Sequence, residues 1–192
     1  MAIQKEITYD HWYEAYADEM FSYGMAFGIG KETVLDAIHD VFLHLYEKGN
    51  KADTITNVKF YLLSSLKNRI ISLKRKEIPF ENIDDSSEYE FLIKVDGLEL
   101  IEDKEERDLY TGQIEYLLSL LTSKQREVIY LHFMQELSYE EIAQMLDITT
   151  KSVRKLTYRA IERMQEEKIQ LAVVLLCNYT HIEIVLDSLP EL

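Results

Sequence analysis

The chain has 192 residues and a formal net charge of −14, with 35 Asp and Glu against 21 Lys and Arg. Proteins that wrap duplex DNA unaided are usually basic, so this total argues against that class, and against anionic membrane surfaces. Two prolines leave almost the whole chain open to long helices, and the single cysteine, Cys177, excludes an intramolecular disulfide framework or a Cys-rich zinc site. The N-terminal MAIQKEITYD lacks a basic-then-apolar leader pattern, and no apolar run reaches the roughly 18 residues of a membrane span. A cytoplasmic protein without a membrane span is expected.

Helical spacing begins with Trp12 and Tyr13 and runs through Tyr16, Met20, Tyr23 and Phe27, after which Gly28 and Gly30 mark a turn. A second helix is expected over 32–47. Ile38, Val41, Phe42 and Leu45 form its inner stripe, and Asp36, Asp40, Leu43 and Glu47 its outer face. Leu43 is then an apolar side chain on an acidic face, either a scattered surface leucine or part of a docking face. A third helix is expected over 57–76. Val58, Leu62, Leu66 and Leu73 point inward, while Ser64, Lys67, Asn68, Ile71, Lys74 and Arg75 lie on the other side. That basic face is either solvated or touches phosphates.

Charge is distributed in blocks. Residues 51–76 hold seven cations and one acid, 77–108 three cations and 13 acids, and 148–168 six cations and three acids. The acidic stretch begins beside Pro79 and includes Asp84-Asp85-Ser86-Ser87 and Asp96-Gly97, so it reads as a linker. Beyond it, Thr122-Ser-Lys-Gln125 and Ser138-Tyr-Glu-Glu141 are two capping boxes, each opening a helix. The first helix buries Val128, Ile129, Leu131 and Phe133, the second Ile142, Ala143 and Leu146. After a break at Asp147-Ile148-Thr149, a third buries Val153, Leu156, Ala160 and Met164. This is helix-turn-helix spacing: Ala143 is small enough for the crossing, Asp147 tolerates a left-handed backbone, and Thr149 can cap the second helix. Its outward face carries Lys151, Lys155 and Tyr158, flanked by Ser152, Arg154 and Arg159, the side chains expected to meet base edges and phosphates.

The segment LTSKQREVIYLHFMQELSYEEIAQMLDITTKSVRKLTYRAIERM resembles the promoter −35 domain of extracytoplasmic-function sigma factors of the sigma-70 family. VLDAIHDVFLHLYEK resembles that family's polymerase-binding helix, and VKFYLLSSLKNRIISLKRK its −10 element helix. The order and spacing of the three agree, over roughly residues 8–168. The resemblance implies an all-α chain of two small helical domains joined by an acidic linker. Residues 1–76 would form the −10 and polymerase-binding domain, 77–108 the linker, 109–168 the helix-turn-helix −35 domain and 169–192 an apolar tail. It implies a promoter-specificity subunit with core RNA polymerase and promoter DNA as partners, an anti-sigma factor as a further one, and no cofactor or metal. Asp36, Asp40, Phe42, Leu43 and Leu45 would dock on polymerase. Thr149, Thr150, Lys151, Ser152, Arg154, Lys155, Tyr158 and Arg159 would meet the −35 element, and Lys59, Lys67, Asn68, Ile71, Lys74, Arg75 and Lys76 the −10 element. The loop Gly49–Thr56 corresponds to the one that captures an extruded −10 base, a step costing a few kcal/mol before pocket contacts offset it.

Three positions depart from the family pattern. Ser72 stands where an Asp is usual, Ser64 where an Arg is common, and Asp147 where the turn has glycine. The five histidines form no H-E-x-x-H pair, and Cys177 with His181 offers only two ligands, so no catalytic set or metal site is expected. The alternatives are a stand-alone helix-turn-helix regulator with a sensing domain, and a helical adaptor whose basic faces meet only solvent. The second basic helix at 57–76 distinguishes the sigma reading from the regulator. The tail, with LAVVLLC at 171–177, is read chiefly as a helix extension packing on the chain itself, with a partner or anti-sigma surface, or self-association, as the alternatives.

Overall fold

A computed structural model describes residues 2–48, 55–77, 89–95 and 103–166, leaving aside the side chains of 2–10, 48, 76 and 77. Among the described residues there are seven α-helices and no strand. The chain folds as two units, Met1–Leu92 and Ile93–Leu192.

The N-terminal unit holds α1 (Ala2–Met25), α2 (Lys31–Lys48) and α3 (Val58–Glu77), each packed against the other two. The aromatic spacing of α1 places Met20, Tyr23 and Phe27 in the core, where they meet Val34, Ala37, Ile38, Val41 and Leu45 of α2. From α3 come Leu62, Leu63, Leu66 and Ile70. Val58 and Leu73, expected inside, are half-buried, and Leu63 and Ile70 take the deeper places. A Cβ on Gly24 would lie 2.6 Å from Val34 Cγ1, so the glycine is required where α1 and α2 cross. Gly28 ends the crossing turn with φ +68°, a left-handed conformation that favours glycine. Asn57 caps α3, its Oδ1 accepting from the Phe60 amide at 3.0 Å.

Part of the stretch read as a linker belongs to this core. Phe91 is fully buried, its ring 5.3 Å from Phe27 and 5.8 Å from Tyr23, with the Phe27 contact edge-on. Tyr89 packs on Phe27 at 5.1 Å, and the Leu92 amide donates to the Ala26 carbonyl at 2.7 Å. Residues 89–91 are therefore part of the packed core of the three-helix unit.

The C-terminal unit begins with Ile93 and Val95 lying against a cluster of Ile114, Leu117, Leu118, Leu121, Ile129, Ala160 and Met164. Its first helix, α4 (Lys104–Ser119), starts inside the acidic stretch. Asp103 Oδ1 caps it, accepting from the Glu106 amide at 3.0 Å, and Glu105 and Glu106 suit the positive end of the dipole. Arg126 donates to the Leu118 and Leu121 carbonyls at 3.1 and 2.9 Å, which ties α5 to the end of α4 and the turn after it. Both capping boxes form as expected, Thr122 with Gln125 opening α5 (Ser123–Ile129) and Ser138 with Glu141 opening α6 (Tyr139–Leu146). Between them α5 runs on into a π-helical turn, Tyr130–Met134, which the periodicity did not signal. It closes through Gln135 N–H to the Tyr130 carbonyl, 3.1 Å, and Leu137 N–H to the Leu131 carbonyl, 3.0 Å.

The helix-turn-helix is completed by α7 (Thr150–Glu166). Ala143 is buried at the crossing, and Asp147 adopts φ 52° and ψ 47° at the turn. Thr149 caps α7, its Oγ1 accepting from the Ser152 amide at 3.1 Å. Val153, Thr157, Ala160 and Met164 face inward. Thr157 displaces the expected Leu156, which is half-buried, and the buried hydroxyl is satisfied by donating to the Val153 carbonyl at 3.1 Å.

Candidate nucleic-acid interface

The N-terminal three turns of α7 build the strongest candidate surface. At about 100° per residue, Lys151, Arg154, Lys155, Tyr158 and Arg159 share one side, opposite the buried Val153, Thr157 and Ala160. All five are exposed, as is Thr149; Thr150 and Ser152 are half-buried at the start of the helix. Four cations and a phenol thus project from a helix end whose amides are ordered by the Thr149 cap. Cations of this kind meet phosphates, and the polar tips near the helix start are placed to reach base edges. Glu162 follows on the same side, which confines the cationic face to the earlier turns.

The α3 face differs from its sequence expectation. Asn68 and Arg75 are exposed and Ile71 is half-buried. Lys67, expected outward, is only 5% exposed: its Nζ donates to the Tyr89 hydroxyl at 2.6 Å and lies 4.9 Å from that ring's centroid. The reason is the 89–91 segment, which returns across α3 and covers it. Lys74 Nζ donates to the Phe27 carbonyl at 2.6 Å, and Lys59 pairs with Glu19 at 3.0 Å. Three cations of the basic island are therefore held by α1, the turn after it and the returning segment. The Lys76 side chain lies outside the described residues, as do residues 49–54 of the expected base-capturing loop and the whole tail 169–192.

On α2, Asp36 and Leu43 are exposed as expected. Asp40 is half-buried and ion-paired with Arg69 of α3, whose Nε donates to Oδ2 at 2.8 Å. Phe42 is half-buried, its ring 5.1 Å from Tyr13. Leu45 needs correction: it is fully buried on the inner stripe and offers nothing to a partner. Two other apolar side chains of α2, not singled out from the sequence, are exposed instead. Leu35 and Tyr46, 39% and 62% exposed, share a side with Leu43, itself 47% exposed. The signal was their helical spacing of eight and three residues around Leu43. Glu32, Asp36 and Glu47 are exposed beside this stripe, so the face is apolar with an acidic border.

Comparison with known proteins places the C-terminal unit. Residues 111–164 match the family model for sigma-70, region 4. No curated protein matches the sequence. Among solved structures, the chain is similar to the sigma factor RpoE from Bartonella quintana, crystallised with the anti-sigma factor NepR. Identity there is 19%, coverage 85% of this chain and 98% of that one, and the TM-score 0.58. It is also similar to CnrH, solved in complex with the cytosolic domain of CnrY, at 18% identity, 84% and 87% coverage, and a TM-score of 0.53. The match to region 4 thus covers residues 111–164, and the likeness to these two structures is one of overall helical fold.

Proposed function

We propose that the chain is an RNA polymerase sigma factor of the extracytoplasmic-function type, a subunit that brings core polymerase to specific promoters. The observation that carries this reading is the cationic, capped α7 inside the segment matching sigma-70 region 4. Here α7 reads the −35 element through Thr149, Thr150, Lys151, Ser152, Arg154, Lys155, Tyr158 and Arg159. The −10 element falls to α3, with Asn68 and Arg75 already exposed. The half-buried Ile71, the internally held Lys59 and Lys74, and Lys76 complete that set, while Lys67, buried under Tyr89, is left out of it. The α2 face of Leu35, Leu43 and Tyr46, with Asp36 beside it, docks on polymerase. The two working domains follow the two units, Met1–Leu92, with residues 89–91 in its core, and the one that begins at Ile93 and includes α4. The protein works in the cytoplasm and needs no cofactor. An anti-sigma factor is a further partner, since RpoE was solved with one.

The net charge of −14 gives this reading a mechanical consequence. Long-range repulsion weakens encounter with free DNA, although salt screens it beyond about 8 Å. Contact through the basic faces becomes favourable when polymerase supplies a high effective concentration. The test is gel filtration of the full chain with sigma-free core polymerase. The expected result is stoichiometric co-elution, lost in a folded Leu43→Glu variant. Elution of the wild-type chain apart from core polymerase at micromolar concentration would refute the reading.

A further inference from the structure

A column of stacked side chains runs from the π-helical turn to α7. At its base, Phe133 meets His132 edge-on, with ring centroids 4.8 Å apart. His132 stacks on Tyr139 at 4.3 Å with planes 28° apart. The Arg154 guanidinium lies over the Tyr139 ring, 5.8 Å from its centroid, and 4.0 Å from the Glu140 carboxylate.

The lower members are fixed. His132 Nδ1 is 2.9 Å from the Leu137 carbonyl, which can only accept, so that nitrogen carries the hydrogen and the bond orients the ring. Leu137 is itself tied to the Leu131 carbonyl across the π-helical turn. Tyr139 is half-buried and follows the Ser138 cap, whose capping box sets the backbone at the start of α6. Arg154, by contrast, is exposed and long. Without a platform it would sample many rotamers and lose that freedom on meeting a ligand.

We infer that Tyr139 is a positioning residue: it holds Arg154 toward the start of α6, aimed at a backbone phosphate rather than a base edge. In a helix-turn-helix the first helix crosses the DNA backbone while the second enters the groove. A guanidinium leaning from α7 onto the start of α6 lies on the backbone side. Its planar fork suits a phosphate while its face rests on the ring. Glu140 is no lasting competitor, because both members of that pair are well exposed and separated by 4.0 Å. The base edges are then left to Lys151, Lys155 and Tyr158. The inference rests on the DNA-binding reading of α7.

The test uses the full chain and a labelled mixed-sequence duplex, with affinity followed against salt from low ionic strength. Arg154→Ala should weaken binding and make the salt slope shallower by about one. Tyr139→Leu, which keeps apolar bulk but removes the ring face, should weaken binding about 2- to 5-fold. Tyr139→Phe should bind as wild type, and Tyr139→Leu should cost nothing further in the Arg154→Ala background. An equal loss in both backgrounds, or no loss from Tyr139→Leu, would overturn the positioning role. The free protein gives a second readout. The Arg154 side-chain NMR resonances should carry a ring-current shift that Tyr139→Leu abolishes and Tyr139→Phe preserves; absence of that shift also overturns the inference. A Lys151→Ala/Lys155→Ala variant separates the two claims. If it binds duplex as wild type, the DNA reading of α7 fails, whatever the ring-current result.

Discussion

Replacing Phe91 by Ala tests whether residues 89–91 are a tether or part of the N-terminal fold. The ring is fully buried against Phe27 and Tyr23. Removing a buried Phe costs about 3–5 kcal/mol, the lost transfer energy plus the cavity left behind. Against a domain stability of about 5–15 kcal/mol, that is a large share. The protein has one tryptophan, Trp12 in α1, so urea unfolding followed by its fluorescence reports on this unit. With an m-value of about 1.5 kcal/mol/M, the midpoint should fall by about 2–3 M. Leu92→Ala is the control: Leu92 is exposed, and its substitution should change stability by no more than about 0.5 kcal/mol. A Phe91→Ala midpoint within about 0.5 M of wild type would refute the reasoning and return the segment to the role of a solvated linker.

Other substitutions probe separate joints. Gly24→Ala places a Cβ 2.6 Å from Val34 Cγ1 and should cost about 1–3 kcal/mol by tryptophan-monitored unfolding, with recovery when Val34→Ala is added. Ser138→Ala removes the cap of α6 and should lower stability by about 0.5–2 kcal/mol in a circular-dichroism melt. Asp147→Gly should stabilise by about 0.5–1 kcal/mol, because φ 52° is held at a cost by a residue with a Cβ; a loss on the same melt would contradict this. Without polymerase, binding to promoter-length duplex should be weak and fall steeply with added salt; tight, specific binding at moderate salt would favour a stand-alone regulator.

What could be read from the sequence was local. The two capping boxes, the left-handed Asp147 and the Thr149 cap depend on residues within four positions of one another, and each forms as expected. The outward set of α7 follows from helical period alone. The errors arise where distant segments decide burial. Lys67 looked solvated because its partner Tyr89 lies 22 residues further on, in a stretch dominated by acids. That stretch hid two signals. Tyr89, Phe91, Ile93 and Val95 alternate with Glu90, Leu92 and Lys94, the pattern of an extended segment with one covered side. Asp103 followed by Glu105 and Glu106 is a helix start, obscured because like charges were read as a linker. On α2, Leu45 belonged to the core stripe, and the apolar outer face was better defined by Leu35, Leu43 and Tyr46. The π-helical turn has no counterpart in a 3.6-residue pattern, so periodicity could not place it.

The most direct measurement of the central claim is reconstituted transcription on fragmented genomic DNA from the source cell, using sigma-free core polymerase with and without this chain. Discrete transcript starts should appear only when the chain is present, preceded by shared −10 and −35 sequences. They should be lost when Lys151, Lys155 and Tyr158 are replaced by Ala in a folded variant. Discrete starts that persist in that variant, or none with the wild-type chain bound to core polymerase, would contradict the account.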